Sequence, residues 1–293
     1  MGNAKLSDQQ IDSYRRDGYL VLPGFFSSED VARAHQAIDD VTERALAGED
    51  YSKVLELEPE SGAGERVPRR IYEPFDHHDT FRRLGSDPRL LDGLASLIGP
   101  NIEYHYSKIN MKPARVGSVV EWHQDMSYYP ATNDDMLAVL VYLDDANEEN
   151  GCLQVLPRHH THFFDHSRPD GEFAGMVTED LTGGRFGKPE ALSAAAGSAI
   201  FLHCIAPHSS LPNRSDRPRR TLIYGYKAAD SFPIYFGEMT AASFKNIRLL
   251  RGKPARFARS GGPSPPVPSS KGSWASLYQL QDESKAGSSN PSK

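Results

Sequence analysis

The chain has 293 residues, with 33 Lys and Arg against 39 Asp and Glu and a formal net charge of −6. That balance offers no broad basic footprint for nucleic acid or an anionic membrane, and the longest apolar run, Met136 to Leu143, falls far short of the about 20 residues a membrane span needs. Hydrophobic residues at 38% suffice for a sizeable core, since a chain of about 300 residues buries roughly three quarters of its unfolded surface. Two cysteines, Cys152 and Cys204, cannot build a disulfide framework and no apolar signal core opens the sequence, so a cytosolic, reducing compartment is expected.

Helices come first. Ser7 with Gln10 forms a capping box, Ile11 and Tyr14 share a face, and Asp17-Gly18 stops the helix. Tyr19 to Leu22 is a short β-prone run closed by Pro23-Gly24. A longer amphipathic helix is predicted from Ser28 to Ala47, with Val31, Ala34, Ile38, Val41 and Ala45 on one stripe. Asp87-Pro88 opens another helix, which Gly99-Pro100 ends. From residue 101 the texture changes to short β-runs: Ile102 to Met111, Ser118 to His123, Leu137 to Leu143, Cys152 to Leu156, Ala199 to His203 and Thr221 to Lys227. Strands of this length, with turn residues between them, predict a sandwich or barrel; because the helices do not interleave with them, a doubly wound parallel sheet is excluded. Residues 1–260 are expected to form one mainly β domain with a helical flank over 1–100. The Pro/Ser/Gly-rich tail, 261–293, reads as flexible or surface-bound, with Trp274, Leu277, Tyr278 and Leu280 available to pin part of it.

The sharpest chemical signal is Glu121-Trp122-His123-Gln124-Asp125. On an extended chain residues i and i+2 project to one side, so His123 and Asp125 converge and Gln124 faces away. An imidazole and a carboxylate converging in this way are two thirds of a 2-His-1-carboxylate metal site. The third ligand must come from a distant strand. Gly197 to Ser210 reads as one buried strand ending in His203 and His208; Pro207 interrupts its ladder, putting His208 at a strand end or rim. His203, in mid-strand, suits a packed core role, and His208 is the better ligand candidate. Arg219, eleven residues beyond His208 at the start of a strand, offers a guanidinium that can clamp a dicarboxylate bidentately. His159-His160-Thr161-His162, with Asp165 and His166, is a competing cluster, read as a loop at the pocket rim. Trp122, Tyr128, Tyr129 and Tyr142 could form aromatic walls, and Arg69, Arg70, Lys112 and Arg115 could meet an anionic group.

Together these segments resemble the phytanoyl-CoA dioxygenase family of iron(II)/2-oxoglutarate oxygenases. The resemblance rests on His123-Gln124-Asp125 with Tyr128, Tyr129 and Pro130; on Glu149-Asn150-Gly151-Cys152-Leu153 before Leu156-Pro157 and His160; on His208-Ser209-Ser210 with Asn213, Ser215 and Arg219; and on Asp17-Gly18-Tyr19 through Phe26. It spans about residues 7 to 230 in order. It implies a double-stranded β-helix, or jelly-roll, core over 101–230 behind the N-terminal helices. It implies that His123, Asp125 and His208 bind Fe(II), that Arg219 holds the far carboxylate of 2-oxoglutarate with Ser210 beside it, and that Lys108 lines the cosubstrate pocket. The expected activity is hydroxylation of an unactivated C–H bond in a small-molecule metabolite or natural-product intermediate, consuming O2 and releasing succinate and CO2. The alternatives are an acyl-CoA substrate or a non-catalytic jelly-roll scaffold with a vestigial site. Two positions depart from the family pattern: Pro157-Arg158-His159-His160 stands where Pro-Gly-Ser-His is usual, and Ser209 where glycine follows the distal histidine.

Overall fold

The first two helices begin where their capping residues place them. In the computed structural model, which describes residues 5–48, 50–58, 66–234, 247–263 and 276–288, α1 spans Asp8–Asp17 and α2 spans Ser28–Leu46. Ser7 and Gln10, and Ser27 and Asp30, exchange side-chain and backbone hydrogen bonds at the two N-termini. Gly18 ends α1 with φ of 83°. A Cβ there would fall 2.6 Å from His160 Nδ1, so both the left-handed turn and the close approach demand glycine. Strand β1 (Tyr19–Leu22) follows.

Between α2 and the next predicted helix the sequence suggests no elements, but the chain folds into β2 (Leu55–Leu57), β3 (Pro68–Tyr72), α3 (Pro74–His77) and α4 (Asp79–Gly85) before α5 (Pro88–Ile98). The remaining strands are β4 (Ile102–Lys112), β5 (Val120–His123), β6 (Met136–Tyr142), β7 (Leu153–Val155), β8 (Glu190–Ala191), β9 (Ala199–His203), β10 (His208–Ser210), β11 (Arg219–Ala228) and β12 (Arg248–Arg251). Among the described residues no helix is long and apolar enough to cross a membrane.

The strands make two antiparallel sheets in a jelly roll. The larger runs β1-β9-β6-β11-β4-β3-β2, with β12 also on β4, and the smaller runs β5-β10-β7-β8. Strand β6 shows why its sequence is apolar throughout. Leu137, Val139 and Val141 pack outward against the N-terminal helices, while Ala138, Leu140 and Tyr142 pack inward against Leu153 and Val155 of the smaller sheet. A strand buried on both faces needs no polar alternation.

The expected single strand from Gly197 to Ser210 is instead two strands in two sheets. β9 pairs with β1 and β6 in the larger sheet; β10 pairs with β5 and β7 in the smaller. The chain crosses between layers at residues 204–207, where Pro207 cannot continue a ladder. The tail is also more ordered than its composition suggests. Trp274 lies outside the described residues, but Leu277–Ser288 forms a helix, α6, with Leu277, Tyr278 and Leu280 buried against the jelly roll.

Candidate active site

The inner faces of the two sheets line a partly open cavity, which brings together groups far apart in sequence. His123 ends β5 and His208 begins β10, and the two are direct cross-strand partners. The chain stays extended through Gln124 and then enters a tight turn at Asp125–Ser127. Asp125 is therefore just beyond the strand rather than on it, yet still on the side of His123. Ligand atoms of His123, Asp125 and His208 lie within 4.8 Å of one another. Nε2 of His123 is 3.8 Å from Oδ1 of Asp125, and Nε2 of His208 is 4.0 Å from it.

Each imidazole is set by a bond on its other nitrogen. His123 Nδ1 donates to the Glu121 carbonyl at 2.8 Å, and His208 Nδ1 to the Ala206 carbonyl at 2.9 Å. Those carbonyls can only accept, so both Nε2 atoms keep their lone pairs toward Asp125. Burial, with each ring's charged neighbours a lesser influence, holds both imidazoles below their usual pKa and so unprotonated. Two neutral imidazoles and a carboxylate on one side of a cavity are the donor set of non-haem Fe(II), with further positions open. Gln124 faces the opposite way, as predicted, and stitches the loops behind the site: it donates to the carbonyls of His162 and Ile205 and accepts from the Phe164 amide.

Arg219 begins β11 inside the cavity and is 4% exposed. One Nη donates to Thr221 Oγ1 at 2.7 Å and the other to the Gly151 carbonyl, while Nε is buried without a partner. No carboxylate is in ion-pair contact with it among the described residues. A buried guanidinium in that state is costly unless an anion arrives, which is the fit expected for a dicarboxylate cosubstrate. Ser210 lines the same cavity. Lys108 lines it as well, on β4, and burial lowers its pKa to about 8.

Some predicted contacts lie elsewhere. Arg115 pairs with Asp216 on the surface. Trp122 packs with Leu156, Phe164, Val177 and Leu181, away from the cavity. Lys112 faces Arg219 across the strand pair but spends its amine on the carbonyls of Ser118 and Leu211. Among the described residues only His123, Asp125 and His208 could together hold a metal. The second histidine cluster disperses: His159 meets the Phe186 carbonyl and His160 the Arg15 carbonyl, whereas His166 accepts from the Gln124 amide at 3.2 Å. His203, on the outer face of β9, lies 5.1 Å from His160, with the two rings tilted by 59°.

The sequence reading overlooked Tyr106, Asn110 and Thr221. Tyr106 lies over Gly225, where a Cβ would come within 2.4 Å of its ring. That fit carries its hydroxyl to 3.4 Å from Asp125 Oδ2 and 3.2 Å from the Tyr129 hydroxyl. The inward parity of β4 and β11 is the signal that could have found all three.

A jelly roll presenting two imidazoles and a carboxylate into one cavity defines the class of non-haem iron(II) oxygenases. Residues 14–221 match the model of the family described as phytanoyl-CoA dioxygenase (PhyH), and the chain belongs to that family. It is 33% identical over 235 residues to a protein named "Probable alpha-ketoglutarate-dependent hypophosphite dioxygenase" from Stutzerimonas stutzeri, covering 77% of this chain and 80% of that one. It is 28% identical over 249 residues to an ectoine dioxygenase from Bordetella parapertussis, covering 77% of each. In fold it resembles the crystal structure of EctD from S. alaskensis with bound Fe, with a TM-score of 0.69 and 23% identity over 87% of this chain and 90% of the other. The protein is an iron- and 2-oxoglutarate-dependent dioxygenase.

Proposed function

We propose that His123, Asp125 and His208 hold the ferrous ion, that Arg219 with Ser210 holds the distal carboxylate of 2-oxoglutarate, and that the enzyme hydroxylates a small-molecule metabolite. The observation that carries this reading is the convergence of two neutral imidazoles and one carboxylate within 4.8 Å on the wall of one cavity. Iron bound there with 2-oxoglutarate and O2 supplies the oxidant: one oxygen atom enters the C–H bond, the other enters succinate, and CO2 leaves. The chain's own tasks are positioning and exclusion of water. The Glu121 and Ala206 carbonyls fix the two ligand rings, and the Tyr106 hydroxyl lies beside the outer oxygen of Asp125. Burial pushes the Tyr106 phenol well above its usual pKa, so it stays a neutral hydrogen-bond donor.

A small substrate fits better than an acyl-CoA, because α6 covers the cavity and Leu277 enters its wall. The relatives are named for hypophosphite and ectoine, both small molecules. One core cluster spans the helices and the larger sheet, which supports a single catalytic domain over residues 1–260. Both cysteines are free and buried, in keeping with a cytosolic setting.

The test is anaerobic addition of Fe(II) and 2-oxoglutarate to purified protein. Wild type should develop the weak visible absorption band of an iron–2-oxo-acid chelate, and His123→Ala should not. A folded, iron-loaded wild type without the band would leave the scaffold alternative standing.

A further inference from the structure

The cavity holds more positive charge than its metal centre and cosubstrate can use. Arg219, Arg70 and Lys108 line it, against the single carboxylate of Asp125. Ferrous iron and the two carboxylates of 2-oxoglutarate cancel one another. Asp125 cancels one cation and Arg70 has a carboxylate beside it outside the cavity, so the positive charge of Lys108 stays uncompensated. Glu56, outside the cavity, lies 2.7 Å from Arg69 and 3.6 Å from Arg70, and Glu58 lies 3.9 Å from Arg69, so these two carboxylates offset the charges of the two arginines.

Arg70 and Lys108 are held apart from the Arg219 end. Arg70 pairs across the sheet with Asn110, and Lys108 lies in the next inward row, beside Ile223. The row of Arg219 and Lys112 is four residues along β4 from Lys108, about 13 Å at the usual strand rise. Arg70 is 4% exposed. Its Nε donates to Asn110 Oδ1 at 3.0 Å, the Tyr278 ring covers its guanidinium at 4.8 Å, and Nη2 is buried with no partner. Lys108 Nζ sits 5.3 Å from the centre of the Tyr106 ring and makes no hydrogen bond or ion pair among the described residues. Two cations on neighbouring strands, each with unspent donors toward one cavity, are a recognition site for an oxyanion.

We infer that Arg70 and Lys108 form a second anion subsite, which receives the substrate's carboxylate or phosphorus-oxyanion group beneath the roof made by Leu277 and Tyr278. This rests on the reading of the same cavity as an iron and 2-oxoglutarate site. Arg219 then serves the cosubstrate, and Lys108, which the family resemblance places in the cosubstrate pocket, serves the substrate instead.

The test titrates hypophosphite, methylphosphonate, propionate and uncharged propionamide into anaerobic enzyme loaded with Fe(II) and 2-oxoglutarate, reading perturbation of the visible band. At least one anion should perturb it saturably, and propionamide should not. Lys108→Met, which loses no hydrogen bond or ion pair within the protein and only the contact with the Tyr106 ring, should weaken that anion about 10- to 100-fold, as expected for a lost charged hydrogen bond, with Lys108→Arg restoring most of the affinity. The concentration of 2-oxoglutarate that half-develops the band should change far less in Lys108→Met than anion affinity does. Equal binding of propionate and propionamide, no response to any anion of the panel, or unchanged anion affinity in both Lys108→Met and Arg70→Gln would overturn the subsite. A wild type that forms no band with 2-oxoglutarate would instead overturn the reading beneath it.

Discussion

Arg158 carries a backbone φ of 67°, a left-handed conformation that costs a side-chain-bearing residue about 1–2 kcal/mol. It occupies the position where the family pattern has glycine, and its return is a surface contact with Asp17 at 3.2 Å, of a kind worth little. Arg158→Gly should therefore be neutral or stabilising by up to about 1 kcal/mol in urea unfolding, after the entropy cost of glycine is allowed for; a clear loss would show that the Asp17 contact matters more than the turn. Arg219 is a sharper case. Replacing it with Met should raise the 2-oxoglutarate concentration needed for half-maximal succinate release by about 10- to 100-fold, with much less effect on Fe(II) affinity, and equal losses of both would argue for collapse of the cavity. At this scale the sequence was most legible where chemistry and local geometry coincide, as in the opposed directions of His123 and Gln124. Arg70 was legible only as one basic residue among several, because its buried partners Asn110 and Tyr278 are remote in sequence.

Elements that carry their own start and stop signals were the readable ones. The capping boxes at Ser7 and Ser27 and the proline at residue 88 set α1, α2 and α5. β3 was missed because Arg69 and Arg70 break its apolar pattern, and their charges are met by Glu56 only once β2 lies alongside. α6 was hidden by its Ser-, Gly- and Lys-rich surroundings, although Leu277, Tyr278 and Leu280 gave a short apolar signal. Gln281 fastens this helix: it accepts from the Glu121 amide at 3.2 Å and donates to the Gly175 carbonyl at 3.0 Å. Gln281→Ala leaves the Glu121 amide short of its partner, at a cost of roughly 1–3 kcal/mol, while the Gly175 carbonyl keeps the Tyr128 hydroxyl. Amides of α6 should then exchange with solvent markedly faster while those of β6 do not. Uniform acceleration across both elements would mean that the helix and the sheets open together.

For the molecule as a whole, the change from helices to short strands conveyed a mainly β architecture, but the jelly-roll topology came from family resemblance, since pairing order is a long-range property. Its layers have a consequence for acid stability. His123, His166, His203 and His208 are all held below the usual histidine pKa, chiefly by burial, His166 to about 4 and His203 to about 3. The unfolded chain takes up these protons below about pH 6.5, so stability falls as pH drops through the interval between 6.5 and the folded-state values. His166 alone should remove roughly 2 kcal/mol between pH 7 and pH 5. His166→Gln should flatten that part of the curve in urea titrations at the two pH values; an unchanged slope would mean that His166 is already protonated in the native protein.

The pairing of His208 with His123 gives a strand of three residues an outsized task. Sliding β10 by a single position would swing Ser209 inward and send the imidazole to the opposite face. Hydrogen-bonded neighbours on both flanks, β5 and β7, oppose that slip, so insertions and deletions in the crossover at 204–207 should be tolerated far less well than substitutions of its side chains. Alignment of that small strip, more than the presence of its histidine, separates an oxygenase from an inert sandwich of the same composition.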